Sequence, residues 1–348
     1  MYSFMNDYSE GAHPRVLELL QKANLEQNIG YGLDVHSERA CEYIRRQIGR
    51  EDAAIHFLSG GTQTNLLAIS SFLRPHQCVI AADTGHINVH ETGAIEATGH
   101  KVVVAPQREG KLLPEDIQAL LDYHADEHMV QPKMVYISNS TELGTVYTRQ
   151  ELAAIRDICQ ANDLILYLDG ARLGAALTSR ANDLTLSEIA ALVDAFYIGG
   201  TKNGALLGEA LVICNPALAA DFRYLIKQRG AMLAKGFVVG MQFEALFQDD
   251  LFFRLAAHAN QMAEEIAQTL QSCGCAFLAP PCSNQLFPIL PNGLLDKMAR
   301  EFVFSVQTRV DEGQSAIRLV TSWATSREAV TALNEFLRRN LLNQTLPQ

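Results

Sequence analysis

The sequence predicts an α/β fold. A large domain carries a mainly parallel sheet covered by helices on both faces, and a smaller α+β domain follows it. Three observations lead there. Short, near-continuous apolar runs alternate with helical segments, as in Cys78-Val79-Ile80-Ala81, Met134-Val135-Tyr136-Ile137 and Leu164-Ile165-Leu166-Tyr167. Strands of that kind are buried on both faces. The chain of 348 residues is long enough for one large core and a second, smaller one. Beyond residue 248 the pattern changes to short strands between longer helices, which sets the expected domains at 1–248 and 249–348.

The elements follow in order. Pro14 to Lys22 and Ser37 to Ile48 read as helices. Ala54 to Leu58 is a strand, a Ser-Gly-Gly-Thr turn follows, and Gln63 to Phe72 is a helix. Cys78–Ala81 and Val102–Val104 are strands, Pro114 to His124 a helix, and Met134–Ile137 a strand. Arg149 to Asn162 is a helix leading to the strand that ends at Asp169. Ala195 to Ile198 and Ala210 to Cys214 are further strands. Helical patterns run from Pro216 to Leu225, Val238 to Phe247 and Phe252 to Ser272. Short strands are expected at Gln285 to Ile289 and Ala316 to Val320, with helices at Leu295 to Phe302 and Glu328 to Leu342. Thr325-x-x-Glu328 has the form of a capping box opening the last helix.

The net charge of −11 argues against a nucleic-acid binder, which needs a basic face. The N-terminus lacks the apolar core of a secretory signal. No apolar run approaches the ~20 residues needed to span a bilayer. Seven scattered cysteines read as reduced thiols, so a cytoplasmic location is expected. Cys273-Gly274-Cys275 with Cys282 lacks the second Cys pair or histidine of a metal site, and none is expected.

Two strand ends carry the chemistry. One is Leu168-Asp169-Gly170-Ala171-Arg172; the other is Gly199-Gly200-Thr201-Lys202-Asn203-Gly204. An Asp and a Lys at neighbouring strand ends match the needs of pyridoxal phosphate. The lysine amine forms a Schiff base with the aldehyde, and the carboxylate keeps the pyridinium nitrogen protonated. A plain Asp169–Arg172 ion pair is the simpler alternative, but it leaves the lysine motif unexplained. Ser59-Gly60-Gly61-Thr62 between strand and helix reads either as an ordinary turn or as a phosphate site on a helix N-terminus. His86 follows a strand and reads as a loop histidine, a ring that stacks on a cofactor, or a proton shuttle. Arg318 lies in an apolar strand and needs an anion, from either a structural salt bridge or a substrate carboxylate.

Taken together, these motifs make the chain resemble the threonine aldolase family of pyridoxal phosphate enzymes, of the aspartate-aminotransferase-like fold (fold type I). The resemblance runs from about Phe4 to about Leu333 and rests chiefly on Asp169-Gly170-Ala171-Arg172 and Thr201-Lys202. Gly61-Thr62-x-x-Asn65, His86-Ile87-x-x-x-Glu91-x-Gly93 and Ile137-Ser138-Asn139-Ser140-Thr141-Glu142-Leu143-Gly144 add to it. It implies Lys202 as the Schiff-base lysine, Asp169 at the pyridinium nitrogen and His86 stacked on the ring. Gly60, Gly61, Thr62, Glu142, Arg172, Thr201 and Lys235 would surround the cofactor. Arg172 and Arg318 would meet the amino-acid carboxylate. His128 would be a second active-site histidine, and Tyr31 would line the substrate site, in the family's manner from a neighbouring subunit. The chain departs from the family in three places. Asn6, with Ser9 close by, stands where a serine is usual; Lys235 stands where an arginine is usual; Thr201 replaces a serine.

The implied activity is cleavage of a β-hydroxy-α-amino acid, threonine or allo-threonine, to glycine and an aldehyde. The proton on the β-hydroxyl would pass to His86, His128 or a held water. The implied partners are a small amino-acid substrate and further copies of the chain in a homodimer or homotetramer, with no nucleic acid and no membrane. Other enzymes on the same cofactor and fold (a β-eliminating lyase, an amino-acid racemase, an aminotransferase) could use Lys202 and Asp169 equally well. A non-catalytic small-ligand sensor is a further alternative, disfavoured by the intact Lys202, Asp169 and Arg172.

Overall fold

The computed structural model describes residues 1–342. Numbered along the chain, its strands are β1 (Tyr2–Ser3), β2 (Ala54–Leu58), β3 (Gln77–Ala82), β4 (Val102–Ala105), β5 (Gln131–Ser138), β6 (Ile165–Asp169), β7 (Ala195–Gly199) and β8 (Glu209–Ile213), then β9 (Gln285–Leu286), β10 (Ile289–Pro291), β11 (Phe302–Val303), β12 (Ser305–Arg309) and β13 (Gln314–Val320). Seven of them form the central sheet in the order β2-β8-β7-β6-β5-β3-β4. From β7 to β4 every pairing is parallel, and β8 runs against both of its neighbours. The sheet is therefore mainly parallel, as its apolar strands require.

Side chains alternate between two apolar layers, because successive strand residues point to opposite faces. Ile80, Val135, Leu166, Leu168 and Phe196 face one layer, with the helices Val35–Ile48, Arg149–Ala161 and Phe237–Phe247. Val79, Met134, Tyr136, Tyr167 and Tyr197 face the other, against the helix Gly61–Phe72. Asp169 falls two residues after Tyr167, so it shares the tyrosine face at the carboxyl end of β6.

The C-terminal elements build a separate apolar cluster. In it β10, β13 and β12 pair antiparallel, β9 pairs the end of β13, and the helices Leu251–Ser272 and Arg327–Leu341 supply Met262, Ile266, Val330 and Leu333. Residues 2–4, expected with the N-terminal domain, belong here instead: β1 pairs β11, and the fully buried Phe4 packs in this cluster. The alternation of apolar Tyr2 and Phe4 is what docks them. Three other expectations are corrected. The helix expected at Leu295 to Phe302 runs Asn292–Met298, and Phe302 enters a strand. The strand expected at Gln285 to Ile289 is two short ones. The last helix is capped by Ser326, whose hydroxyl accepts the Ala329 N–H at 3.2 Å. Thr325 Oγ1 instead accepts the Ser322 N–H at 2.8 Å, so Glu328 is one position too early for a capping box. Among the described residues no helix is long and apolar enough to cross a membrane.

Candidate active site

In an open parallel sheet, ligands bind outside the carboxyl ends of the strands. Here β5, β6 and β7 end at Ser138, Asp169 and Gly199, on one edge. Two glycines let those ends come together. A Cβ on Gly170 would lie 1.8 Å from the Tyr197 carbonyl oxygen, and one on Gly199 would lie 2.3 Å from that of Ala171. Both would collide with backbone, which explains why the Asp169 and Lys202 turns need glycine there. The result is a cavity of about 290 Å³, lined among others by Tyr8, Gly60, Gly61, Thr62, His86, Glu142, Asp169, Arg172, Thr201, Lys202 and Glu209.

Asp169 is buried at its floor. One carboxylate oxygen accepts the Tyr136 hydroxyl at 2.6 Å and Asn65 Nδ2 at 2.9 Å; the other accepts the Ala171 N–H at 3.0 Å. Burial opposes the charge, but His86 nearby and the bonds from Tyr136, Tyr197 and Asn65 outweigh it and hold the carboxyl below its usual range. Asp169 is thus a fixed anion beneath the cavity.

The same network reaches His86. Asn65 Nδ2 also meets Glu91 Oε1 at 2.8 Å, and that oxygen lies 2.8 Å from His86 Nδ1. Ser138 donates to Glu142 at 2.6 Å, and Glu142 accepts the His86 backbone N–H at 2.9 Å. The imidazole is therefore gripped at Nδ1, leaving Nε2 for the cavity. Burial alone would lower its pKa; the Glu91 bond and the charges of Asp169 and Glu91 raise it above the usual value. Burial pushes the Glu142 carboxyl up.

Lys202 is half-buried in the cavity wall. Burial first, then the charge of Arg172, pull its ammonium below the usual lysine value, while Asp7, Asp169 and Glu209 oppose that. Arg172 is not paired with Asp169. Its Nε and Nη2 grip the buried Asp7 at 2.7 and 3.0 Å, and Asn284 holds Asp7 from the other side at 2.9 Å. Most of its donor fork is thus committed within the protein, which narrows the expected role in holding a substrate or cofactor. Arg318 has the opposite character. Nη2 donates to the Met5 carbonyl at 3.2 Å, Nε is buried without a partner, and among the described residues it makes no ion pair. An orphaned buried guanidinium N–H needs an anion.

At the far wall, the helix Gly61–Phe72 starts with no side-chain cap on Gly60, so its first N–H groups are bare. A reactive amine, a fixed carboxylate and a bare helix N-terminus in one cavity of this size fit pyridoxal phosphate: Lys202 for the aldehyde, Asp169 for the pyridinium nitrogen, Gly61 and Thr62 for the phosphate.

Six expected residues lie outside this cavity in the single chain. His128 is exposed on a turn, its N–H bonded to Asp126 at 2.9 Å. Lys235 is exposed. Asn6 and Ser9 bond each other at 2.9 Å, and it is Asp7 and Tyr8 beside them that reach the site. Tyr31 sits on an exposed loop at φ 65°, with Lys227 over its ring at 5.0 Å. Arg318 stands beyond the lining residues, close enough to Arg172, Asp7 and Tyr8 to feel their charges. Thr201 does line the cavity, but its hydroxyl donates to Glu209 at 2.9 Å. Sequence reading gave no role to Asp7, Tyr8, Asn65, Glu91, Tyr136 or Glu209. Asn65 and Glu91 stand in motifs that carry the resemblance, and the charged Glu209 opening an apolar strand is a further visible signal.

Comparison with known proteins identifies the family. Residues 7–290 match the family model described as beta-eliminating lyase. A low specificity L-threonine aldolase of Pseudomonas aeruginosa is 31% identical over 342 residues, 96% of each chain. The structure of a threonine aldolase from Leishmania major is 51% identical and superposes with a TM-score of 0.97, over 98% of this chain and 100% of that one. An aspartate aminotransferase of Thermus thermophilus shares the fold at 14% identity and a TM-score of 0.72, over 97% of this chain and 91% of its own. The chain belongs to the beta-eliminating lyase family.

Proposed function

We propose that the protein is a pyridoxal phosphate-dependent aldolase that cleaves a β-hydroxy-α-amino acid, threonine or allo-threonine, to glycine and an aldehyde. The observation that carries this reading is that Lys202 and the fixed anion Asp169 share a cavity with a bare helix N-terminus. The names of the Pseudomonas and Leishmania relatives support the aldol reaction over others on the same fold. When bound, the cofactor supplies an electron sink for the pair left at Cα. The chain's own residues do the rest. Lys202 Nζ would anchor the aldehyde, and Asp169 would keep the ring nitrogen protonated. Arg318, whose Nε has no partner, would meet the amino-acid carboxylate and so orient the bond to be broken. His86, gripped by Glu91 at Nδ1, offers Nε2 to the ring face or to the β-hydroxyl proton. Arg172 and Asp7 set the charge beside Lys202. The free state of all seven cysteines supports a cytoplasmic location, and a homodimer or homotetramer would let Tyr31 and His128 reach a neighbouring site.

The test is incubation of the holoprotein with threonine. Acetaldehyde and glycine are expected; ammonia and a keto acid would indicate β-elimination instead. Lys202→Ala is expected to abolish both turnover and the lysine-linked visible band, and a variant that keeps both overturns the assignment.

A further inference from the structure

Glu209 opens β8 opposite Gly199, the last residue of β7. That register places its carboxylate beside the turn that carries Lys202. It is 5% exposed and lines the same cavity as Lys202. Oε2 accepts the Gly200 N–H at 2.9 Å, and Oε1 accepts the Thr201 hydroxyl at 2.9 Å. Thr201 Oγ1 in turn accepts the Gly208 N–H at 3.0 Å. Oε2 thus receives a backbone hydrogen and Oε1 the Thr201 hydroxyl hydrogen. This is the arrangement of an ionised group.

We propose that Glu209 is a positioning residue for Lys202: it ties the two residues before the lysine to β8 and supplies a buried negative charge that favours a proton on the Lys202 nitrogen. The proposal rests on the reading of Lys202 as the cofactor's anchor. The charges facing Lys202 are Arg172 on one side and Asp7, Asp169 and Glu209 on the other, and His86 shares the cavity. Those facing Glu209 are Lys202 and Asp169, with the phenols of Tyr167 and Tyr197 close by. Asp7 is engaged by Arg172 and Asn284, and Asp169 by Tyr136, Asn65 and Ala171. Glu209 differs from both in bonding the backbone and side chain of the lysine's own turn. Burial pushes its carboxyl well above the usual range, with Lys202 opposing, so its charge depends on the lysine.

The experiment is a pH titration of the visible band of the lysine-linked cofactor in the holoprotein. Glu209→Gln keeps the size and removes the charge. Its midpoint is expected to move to lower pH by about one unit, as for loss of a neighbouring opposite charge. An intact band with an unmoved midpoint overturns the proposal, because a purely structural residue would leave the midpoint in place. Thr201→Val cuts the tether and keeps the charge, and it gives a second reading if the Gln variant does not fold. Its cofactor is expected to dissociate faster while the midpoint stays near that of the wild type. A wild-type dissociation rate overturns the tether, and a midpoint displaced as in Glu209→Gln overturns the separate role of the charge. A Lys202→Ala protein that retained the band would instead sink the anchor reading itself.

Discussion

Replacing Tyr136 by Phe removes one oxygen atom from the centre of the polar network. The phenol is 1% exposed and donates to Asp169 at 2.6 Å. A hydrogen bond to a charged group contributes about 1.5–3 kcal/mol. The substitution strands nothing else: Ser138, which reaches the phenol only at 3.3 Å, keeps its 2.6 Å bond to Glu142. The expected loss of stability at neutral pH is therefore about 1.5–3 kcal/mol, roughly 12- to 140-fold in the folding equilibrium. Expressed on the carboxyl, the same loss lets the Asp169 pKa rise toward its usual range.

The sign of the pH dependence follows. The folded pKa of Asp169 lies below its unfolded value. The stability it contributes is present above the unfolded pKa and lost as pH falls through the folded one. The cost of Tyr136→Phe is thus full at neutral pH and shrinks in acid. Urea unfolding of the apoproteins, at one protein concentration and at neutral and acidic pH, measures both. A difference below about 0.5 kcal/mol at neutral pH, or one that does not change with pH, would refute the view that this bond holds Asp169 charged.

Three further outcomes are expected. Arg318→Ala should raise KM for the amino acid far more than it lowers the rate of cofactor binding, and steady-state kinetics that leave KM unchanged would return Arg318 to a packing role. Glu91→Gln should lower the pKa of His86, because the Glu91 carboxylate raises it. The His86–Glu91 contribution to stability is full below the unfolded histidine pKa and fades as pH rises through the higher folded value, so the variant's deficit should be largest in mild acid. Thermal unfolding across that range checks it, and a deficit that grows with pH contradicts it. Ser326→Ala should cost about 1 kcal/mol through loss of the last helix's cap, with Thr325→Ala acting only through the Ser322 turn. Urea midpoints separate the two.

The strand-end motifs were legible because chemistry there sits next to a strong local signal. Asp169 and Lys202 each follow an apolar run whose burial is dictated by composition, so a polar group at its end must face a site. Arg318 stands out for the same reason, as a cation inside a buried strand, and it lies beyond the cavity lining. The partners that hold these groups carry no such signal. Asn65 is 104 residues from Asp169, and Asp7 is 165 from Arg172. In sequence Asn65 stands out only within Gly61-Thr62-x-x-Asn65, which does not name its partner, and Tyr136, Tyr167 and Tyr197 are ordinary members of buried strands. The parallel sheet brings them together: Tyr136 pairs Tyr167, Tyr197 lies two residues beyond the partner of Tyr167, and the two-residue period turns all three phenols to the face of Asp169. The capping box at Thr325 failed for a local reason. Two hydroxyl residues stand side by side, and Thr325 is drawn into the turn at Ser322.

The arrangement also explains why so much of the site is carboxylate in a chain of net charge −11. Asp7, Glu91, Asp169 and Glu209 are all buried. Each is held by a different donor set, Arg172 and Asn284 for Asp7, Asn65 for Glu91, Tyr136 and Asn65 for Asp169, Thr201 and Gly200 for Glu209. The donor sets are largely separate, and Asn65 joins two of them. A cofactor with a phosphate at one end and a ring nitrogen at the other needs that division. In the proposed site, anions would lie near the nitrogen and the lysine, while the phosphate end would meet the bare N–H groups at the uncapped start of the helix Gly61–Phe72.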